Sequence, residues 1–195
     1  MNKRAIGLAS LLAFFVACSG ANATECPAPR SGHTPQAPVA GQPVNLGELK
    51  MQLLDYKCFG DYDRDMEKVL SDAQFYIEYR APQVTKPAIV LDIDETSLSN
   101  WREILADDFG YIPDGSCTLP KGPCGANSWD LMTAAEAIAP TLAMVRAVRA
   151  KGVAVFFVTG RPENPAERGA TETNLRNAGY GGWAGLSSRN RRMVS

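Results

Sequence analysis

Two unbroken apolar runs organise this sequence: Pro87-Ala-Ile-Val-Leu-Asp92 and Val153-Ala-Val-Phe-Phe-Val158. Neither alternates with polar residues, so each reads as a strand buried on both faces, as in a parallel α/β sheet. Around them the apolar positions recur at helical spacing. Leu46, Leu49, Leu53 and Leu54 form one stripe that ends near Gly60. Asp61 or Asp63 can cap a second helix, with Met66, Val69, Leu70, Ala73 and Tyr76 or Ile77 on its inner face. Ala81-Pro82 ends it, and its aromatics Phe75, Tyr76 and Tyr79 are expected in the core. A helix from about Pro140 to Lys151 stops at Gly152; another runs from Glu163 to Ala178, with Gly179 as its stop. Trp183 to Leu186 begins a third strand. Strand, helix, strand, helix and strand in this order imply right-handed crossovers and a doubly wound, Rossmann-like parallel sheet.

Three stretches fall outside that pattern. Lys3 and Arg4 precede an apolar run, Ala5 to Ala17, too short to span a bilayer comfortably and suited to a signal peptide over 1–23. Ala21-Asn22-Ala23 offers an ordinary cleavage site; Phe15-Val16-Ala17-Cys18 offers a lipobox that would lipidate Cys18 and tie the chain to an outer membrane. Both readings export the protein, to a bacterial periplasm or beyond. Residues 24–45 hold Pro27, Pro29, Pro35, Pro38 and Pro43 and read as an extended arm ahead of one domain over 46–195. Between Ser97 and about Ala139 the chain is long and irregular, with Trp101, Tyr111 and Trp129, and reads as a cap inserted over a site.

Composition narrows the chemistry. A formal net charge of −1 gives no surface for a nucleic-acid polymer. With Cys18 removed or modified, Cys26, Cys58, Cys117 and Cys124 remain, an even number in an exported chain, which suggests disulfides in one of three connectivities. Cys117 with Cys124 across TLPKGP is the simplest local pair, leaving Cys26 with Cys58. A zinc site lacks the spacing, and the only histidine, His33, lies in the proline-rich arm.

The first run ends in Leu91-Asp92-Ile93-Asp94-Glu95-Thr96. Two acids two residues apart at a strand end would point the same way, with Ile93 opposite, at the carboxyl edge where open α/β sheets bind ligands. A calcium loop would need more oxygen ligands and a glycine turn. LDIDET matches the DxDxT signature of the haloacid-dehalogenase (HAD) superfamily. IVLDIDETSLSN, VFFVTGRPE and RGATETNLRNAGYGGWAGL together resemble its exported acid phosphatases of class B and class C, subfamily IIIB, with plant vegetative storage proteins as relatives. The likeness covers most of 46–187. It implies hydrolysis of small phosphomonoesters, nucleotides among them, with Asp92 as nucleophile and Asp94 as general acid and base. It implies Mg²⁺ on the Asp92 carboxylate and the Asp94 backbone carbonyl. Thr159 and Gly160 would hold the phosphoryl oxygens, and Arg161 would either join them or pair with a surface acid. Asn100 and Trp101 would belong to the hinge of the cap. No oligomeric state follows.

The same family needs a third-motif lysine or arginine and a fourth-motif acidic pair. No lysine follows Lys151 and no acid follows Glu172; Arg189, Arg191 and Arg192 are followed by no hydrophobic run. The expectation is a fold incomplete on its C-terminal side, from an interrupted or incomplete reading frame, with an exposed edge beside the Asp92 strand. Such a chain would be poorly stable and weakly active or inactive, a degenerate, storage-like relative of the enzymes.

Overall fold

The computed structural model describes Cys26 and residues 41–189. The expected leader and Cys18, His33 with nearly all of the proline-rich arm, and Arg191 and Arg192 lie outside the described residues. Asn45 opens α1 (Leu46–Cys58) by accepting hydrogen bonds from the amides of Gly47 at 2.8 Å and Glu48 at 3.4 Å. The next helix, α2 (Asp61–Arg80), starts differently from the expected aspartate cap. Gly60 stands before it with a left-handed φ of 78°, and no side chain caps the helix. Asp61 and Asp63 lie inside the first turn, where they pair with Arg64 and Lys57.

Three parallel strands follow: β1 (Ala88–Asp92), β4 (Ala154–Pro162) and β5 (Gly185–Arg189), in the order β1-β4-β5. Ala88 lies opposite Ala154 and Asp92 opposite Val158. Phe156 lies opposite Gly185, which leaves room for the phenylalanine ring where a side chain would collide with it. Two short antiparallel strands, β2 (Leu98–Ser99) and β3 (Glu136–Ala137), bracket α3 (Trp101–Ala106) and α4 (Ala126–Met132). The crossovers are α5 (Ala139–Ala150), with Pro140 in its first turn, and α6 (Pro165–Asn177), capped by the Asn164 side chain on the amides of Ala166 and Glu167.

The strand order advances in one direction, so two crossovers of the same hand place α5 and α6 on the same face. Thr141, Met144, Val145 and Val148, at helical spacing on α5, are buried with Val155 and Phe157 of β4, Leu175 of α6, and Tyr180. The opposite face was expected to be buried as well. Among the described residues it is not: Val90 is 61% exposed, Phe156 38% and Val158 40%. The apolar runs fit two covers, and the described elements supply one.

The N-terminal helices depart from expectation in a similar way. On α2, Leu70, Ala73 and Ile77 pack on the core, but Val69, Phe75, Tyr76 and Tyr79 are exposed. No residue of α1 is buried. The cysteines pair as the sequence suggested, Cys26 with Cys58 and Cys117 with Cys124. Within the second loop, Gly122 takes φ 67° and presses so closely on the Ala106 carbonyl that no Cβ would fit.

Candidate active site

The acids of LDIDET are aimed by the turn that follows them. Ile93 is fully buried between exposed Asp92 and half-buried Asp94, but the acids do not share surroundings as expected. Asp92 ends β1 with exposed Val90, while the turn brings Asp94 to buried Thr159 and Arg161. The Ile93 carbonyl accepts from the amides of Ser97 and Leu98, both at 2.8 Å, and the Ser97 hydroxyl donates to the Asp92 carbonyl at 2.7 Å. Glu95 turns the chain with a left-handed φ of 55°, uncommon outside glycine, and its carboxylate accepts from the Asn100 amide. The turn is tied outward too. Thr141 of α5 donates to the Thr96 carbonyl at 2.6 Å. The Ser97 carbonyl accepts from the Tyr180 hydroxyl at 2.8 Å and the Ile138 amide at 2.9 Å.

β4 runs on past its apolar stretch through Thr159, Gly160 and Arg161, beside the end of β1. Arg161 is buried, and its guanidinium donates to Asp94 from Nη2 at 2.6 Å and from Nε at 3.1 Å. Its second ion pair, Nη2 to Asp130 at 3.1 Å, is with a carboxylate of α4. Both acids lie in the site, so the surface pairing considered for Arg161 is not what forms. Thr159 Oγ1 donates to Asp94 at 3.1 Å and accepts from the Arg161 amide at 3.1 Å. Asn100 is part of the site as well as adjoining α3: its Nδ2 donates to Asp94 at 3.0 Å and its Oδ1 accepts from Trp129 Nε1 at 2.8 Å. Two chains of contacts thus run from neighbouring α4 residues to one carboxylate, Trp129 through Asn100 and Asp130 through Arg161.

Electrostatics separates the acids. Burial pushes the Asp94 carboxyl up, but the hydrogen bond and charge of Arg161, with Asn100 and Thr159, outweigh it and hold the group below the usual aspartate range. Asp130 is pushed up to about 7, by burial first and then by Asp94 and Glu167, against the pull of Arg161. Arg161 therefore serves Asp94 before Asp130. Glu103 of α3 is also pushed up to about 7, by burial and then by Asp107, Asp130, Asp94 and Glu95. Glu167 is raised by burial despite Arg161.

A cavity of about 380 Å³ opens on this cluster, lined by Asp94, Glu103, Trp129, Asp130, Gly160 and Arg161 among others. Neither Asp92 nor Thr159 lines it; Asp92 ends β1 on the open face of the sheet. A groove of about 580 Å³ between α2 and α5 shares none of these residues. The sequence drew attention to Asp92, Asp94, Thr159, Gly160, Arg161 and Asn100; the fold gathers the first five at the ends of β1 and β4, and Asn100 reaches Asp94 from the start of α3. Asp130, Glu103 and Glu167 escaped notice because helical acids ordinarily face water. The one signal was the tryptophan beside Asp130.

The donors present suit Mg²⁺ in kind but not in number. The Asp92 carboxylate and Asp94 carbonyl are hard oxygens, and no hydrogen bond among the described residues engages either. Yet the described residues contain no group of three or more His, Cys, Asp or Glu placed to hold a metal ion.

Comparison with known proteins agrees with this architecture. Two solved structures of the class C acid phosphatase from Bacillus anthracis are similar to the chain. One, with tungstate bound, is 24% identical with a TM-score of 0.60, covering 73% of this chain and 59% of that one. The other is 23% identical with a TM-score of 0.62, covering 75% and 60%. At that identity they support the fold, and the chain spans about 60% of their length. No curated protein matches the chain. A family model, that of HAD superfamily subfamily IIIB (acid phosphatase), matches residues 39–193. The chain belongs to that acid phosphatase family of the HAD superfamily.

Proposed function

We propose that this chain carries the nucleophile and leaving-group side of an exported phosphomonoesterase that works through an aspartyl-phosphate. The observation that carries the reading is the register of β1 on β4. With Asp92 opposite Val158, the two acids stand beside Thr159, Gly160 and Arg161 at the carboxyl edge of the sheet. An Asp92 carboxylate oxygen attacks phosphorus, the bond from phosphorus to the alcohol oxygen breaks, and Asp94 supplies that oxygen with a proton. Water, deprotonated by Asp94, then attacks the aspartyl-phosphate, releasing phosphate and restoring Asp92. For Asp94 to carry a proton, Arg161 must exchange it for the phosphoryl oxygens, and the Thr159 hydroxyl must turn the same way. Members of this family generally use a divalent metal; Mg²⁺ held by Asp92 and the Asp94 carbonyl would offset repulsion between carboxylate and phosphate. The segment 97–139, which supplies Asn100, Glu103, Trp129 and Asp130, acts as the cap over the substrate. The test is turnover of a generic phosphomonoester with Mg²⁺ by the purified chain, and its loss in a folded Asp92→Asn variant. Unchanged turnover in that variant would overturn the nucleophile assignment.

One observation favours a second reading, binding without turnover. The Asp94 carboxylate is engaged by Arg161, Asn100 and Thr159 together, an arrangement that opposes protonation. A folded chain that binds inorganic phosphate but shows no hydrolysis would decide for it.

A further inference from the structure

Glu103 has no role in the steps above, and its placement is costly without one. It is only 7% exposed, it lines the cavity beside Asp94, and among the described residues no hydrogen bond or ion pair engages its carboxyl. Its charged neighbours are acids that repel it. A carboxyl kept for structure is ordinarily paired when buried, because desolvation without compensation is unfavourable. A second unused group lies in the same wall: Nη1 of Arg161 is buried and has no hydrogen-bond partner among the described residues. The remaining walls include the apolar faces of Trp129, Ile104 and Tyr111. This combination of carboxyl acceptors, a spare guanidinium N–H and flat apolar surface suits a ligand with hydroxyl groups on a carbon skeleton. A ligand carrying a further anionic group would meet Asp94, Glu103 and Asp130.

We propose that Glu103, with Asp130, forms the subsite for the alcohol part of the substrate, and that this alcohol is hydroxyl-rich, as in a polyol or sugar phosphate. The inference rests on the phosphomonoester reading above, with Glu103 selecting the alcohol while the ends of β1 and β4 hold the phosphoryl group. Glu103 contributes acceptors for the hydroxyls. Asp130 contributes the same while keeping Arg161 within reach of both Asp94 and the ligand.

Binding can be measured apart from turnover, by calorimetry or ligand-observed NMR on the full chain in EDTA. The probes are glycerol 1-phosphate, propyl phosphate and 3-aminopropyl phosphate, each competed with inorganic phosphate. Glycerol 1-phosphate is expected to bind about tenfold more tightly than propyl phosphate, the scale of one hydrogen bond to a charged group. Glu103→Leu is expected to bring the two within about twofold and to raise the melting temperature, because it removes a carboxyl that its acidic neighbours repel. Glu103→Met, close in length and without an oxygen acceptor, repeats the comparison should the leucine variant misfold. Equal affinity for glycerol and propyl phosphates in the parent, or a preference surviving both variants, would overturn the subsite while leaving the phosphomonoester reading intact. Tightest binding of the aminopropyl ester would show a subsite for ammonium, and the polyol assignment would fall. If none of the three binds, either in EDTA or with Mg²⁺ supplied, the phosphomonoester reading fails, and the subsite with it.

Discussion

The two faces of the β1-β4-β5 sheet share strands but live under different rules. On one, Val155, Phe157, Thr159 and Arg161 are all buried under α5, α6 and the turn behind Asp94. On the other, Val90, Phe156 and Val158 keep a third or more of their surface, and Asp92 and Gly160 stand beside them in the open. Asp92 and Asp94 are two residues apart, yet they differ sharply in surroundings: among the described residues one carboxylate is unengaged, and the other is held by three side chains. In the roles proposed above, a nucleophile benefits from freedom to approach phosphorus, and a proton carrier from fixed neighbours that set its affinity. The contrast teaches that the motif supplies residue types, while each residue's environment comes from the elements packed around it.

The sharpest way to break this contrast is to remove an aromatic ring from each face in turn. Phe157→Ala should cost about 4 kcal/mol in urea unfolding, the scale for deleting a fully buried ring. Phe156→Ala, one residue away, should cost about 1 kcal/mol, typical of a partly exposed position. Equal costs would mean that the open face is covered in solution. Next in size is Arg161→Met, expected to destabilise by about 3 kcal/mol, because it strands Asp94 and Asp130 without their cation. Asp130→Asn should cost less, since Arg161 keeps Asp94.

A smaller effect, in the pH dependence of stability, distinguishes acids within the covered side. Asp130 and Glu103 hold their protons to about pH 7 in the folded chain, against roughly 4 when unfolded. The folded state binds more protons between those values, so their contribution is fully present below about pH 4 and is lost as pH rises through about 7. Asp94 has the opposite sign, with a folded pKa depressed by Arg161; its contribution is present above roughly pH 4 and lost in more acid solution. Melting temperatures across pH 3 to 8 should therefore pass through a maximum on the acid side of neutrality. In Asp130→Asn the fall towards neutrality should be shallower, while a flat profile in the parent would contradict both assignments.

Much of the frame was legible because strands and crossovers announce themselves through local pattern. AIVLD and VAVFFV marked β1 and β4, and Asn164-Pro165 and Gly179 bracket α6 within two residues of its expected ends. Which face lies open was not legible, since Val90 and Phe156 are as apolar as Ile89 and Phe157. Nor was the inner side of α2, where Val69 and Tyr76 sit at acceptable helical positions but turn away from the core. In the site, the β1 and β4 residues were readable from motif spacing. Asp130 and Glu103 were not, because a helical acid looks the same in sequence whether it faces water or a cavity. Only tertiary packing of an irregular segment decides that.

The Ser97 carbonyl, which accepts from both the Tyr180 hydroxyl and the Ile138 amide, fastens the acid-bearing turn to two distant parts of the chain. Its neighbours Ser97 and Leu98 donate their own amides to Ile93. In hydrogen–deuterium exchange those two amides should behave as members of the slowest class, released only when the whole core opens. Asp92 and Asp94 would then be among the last parts of the protein to loosen. Any breathing that admits a ligand would come from the 107–125 loop between α3 and α4, whose amides are expected to exchange faster.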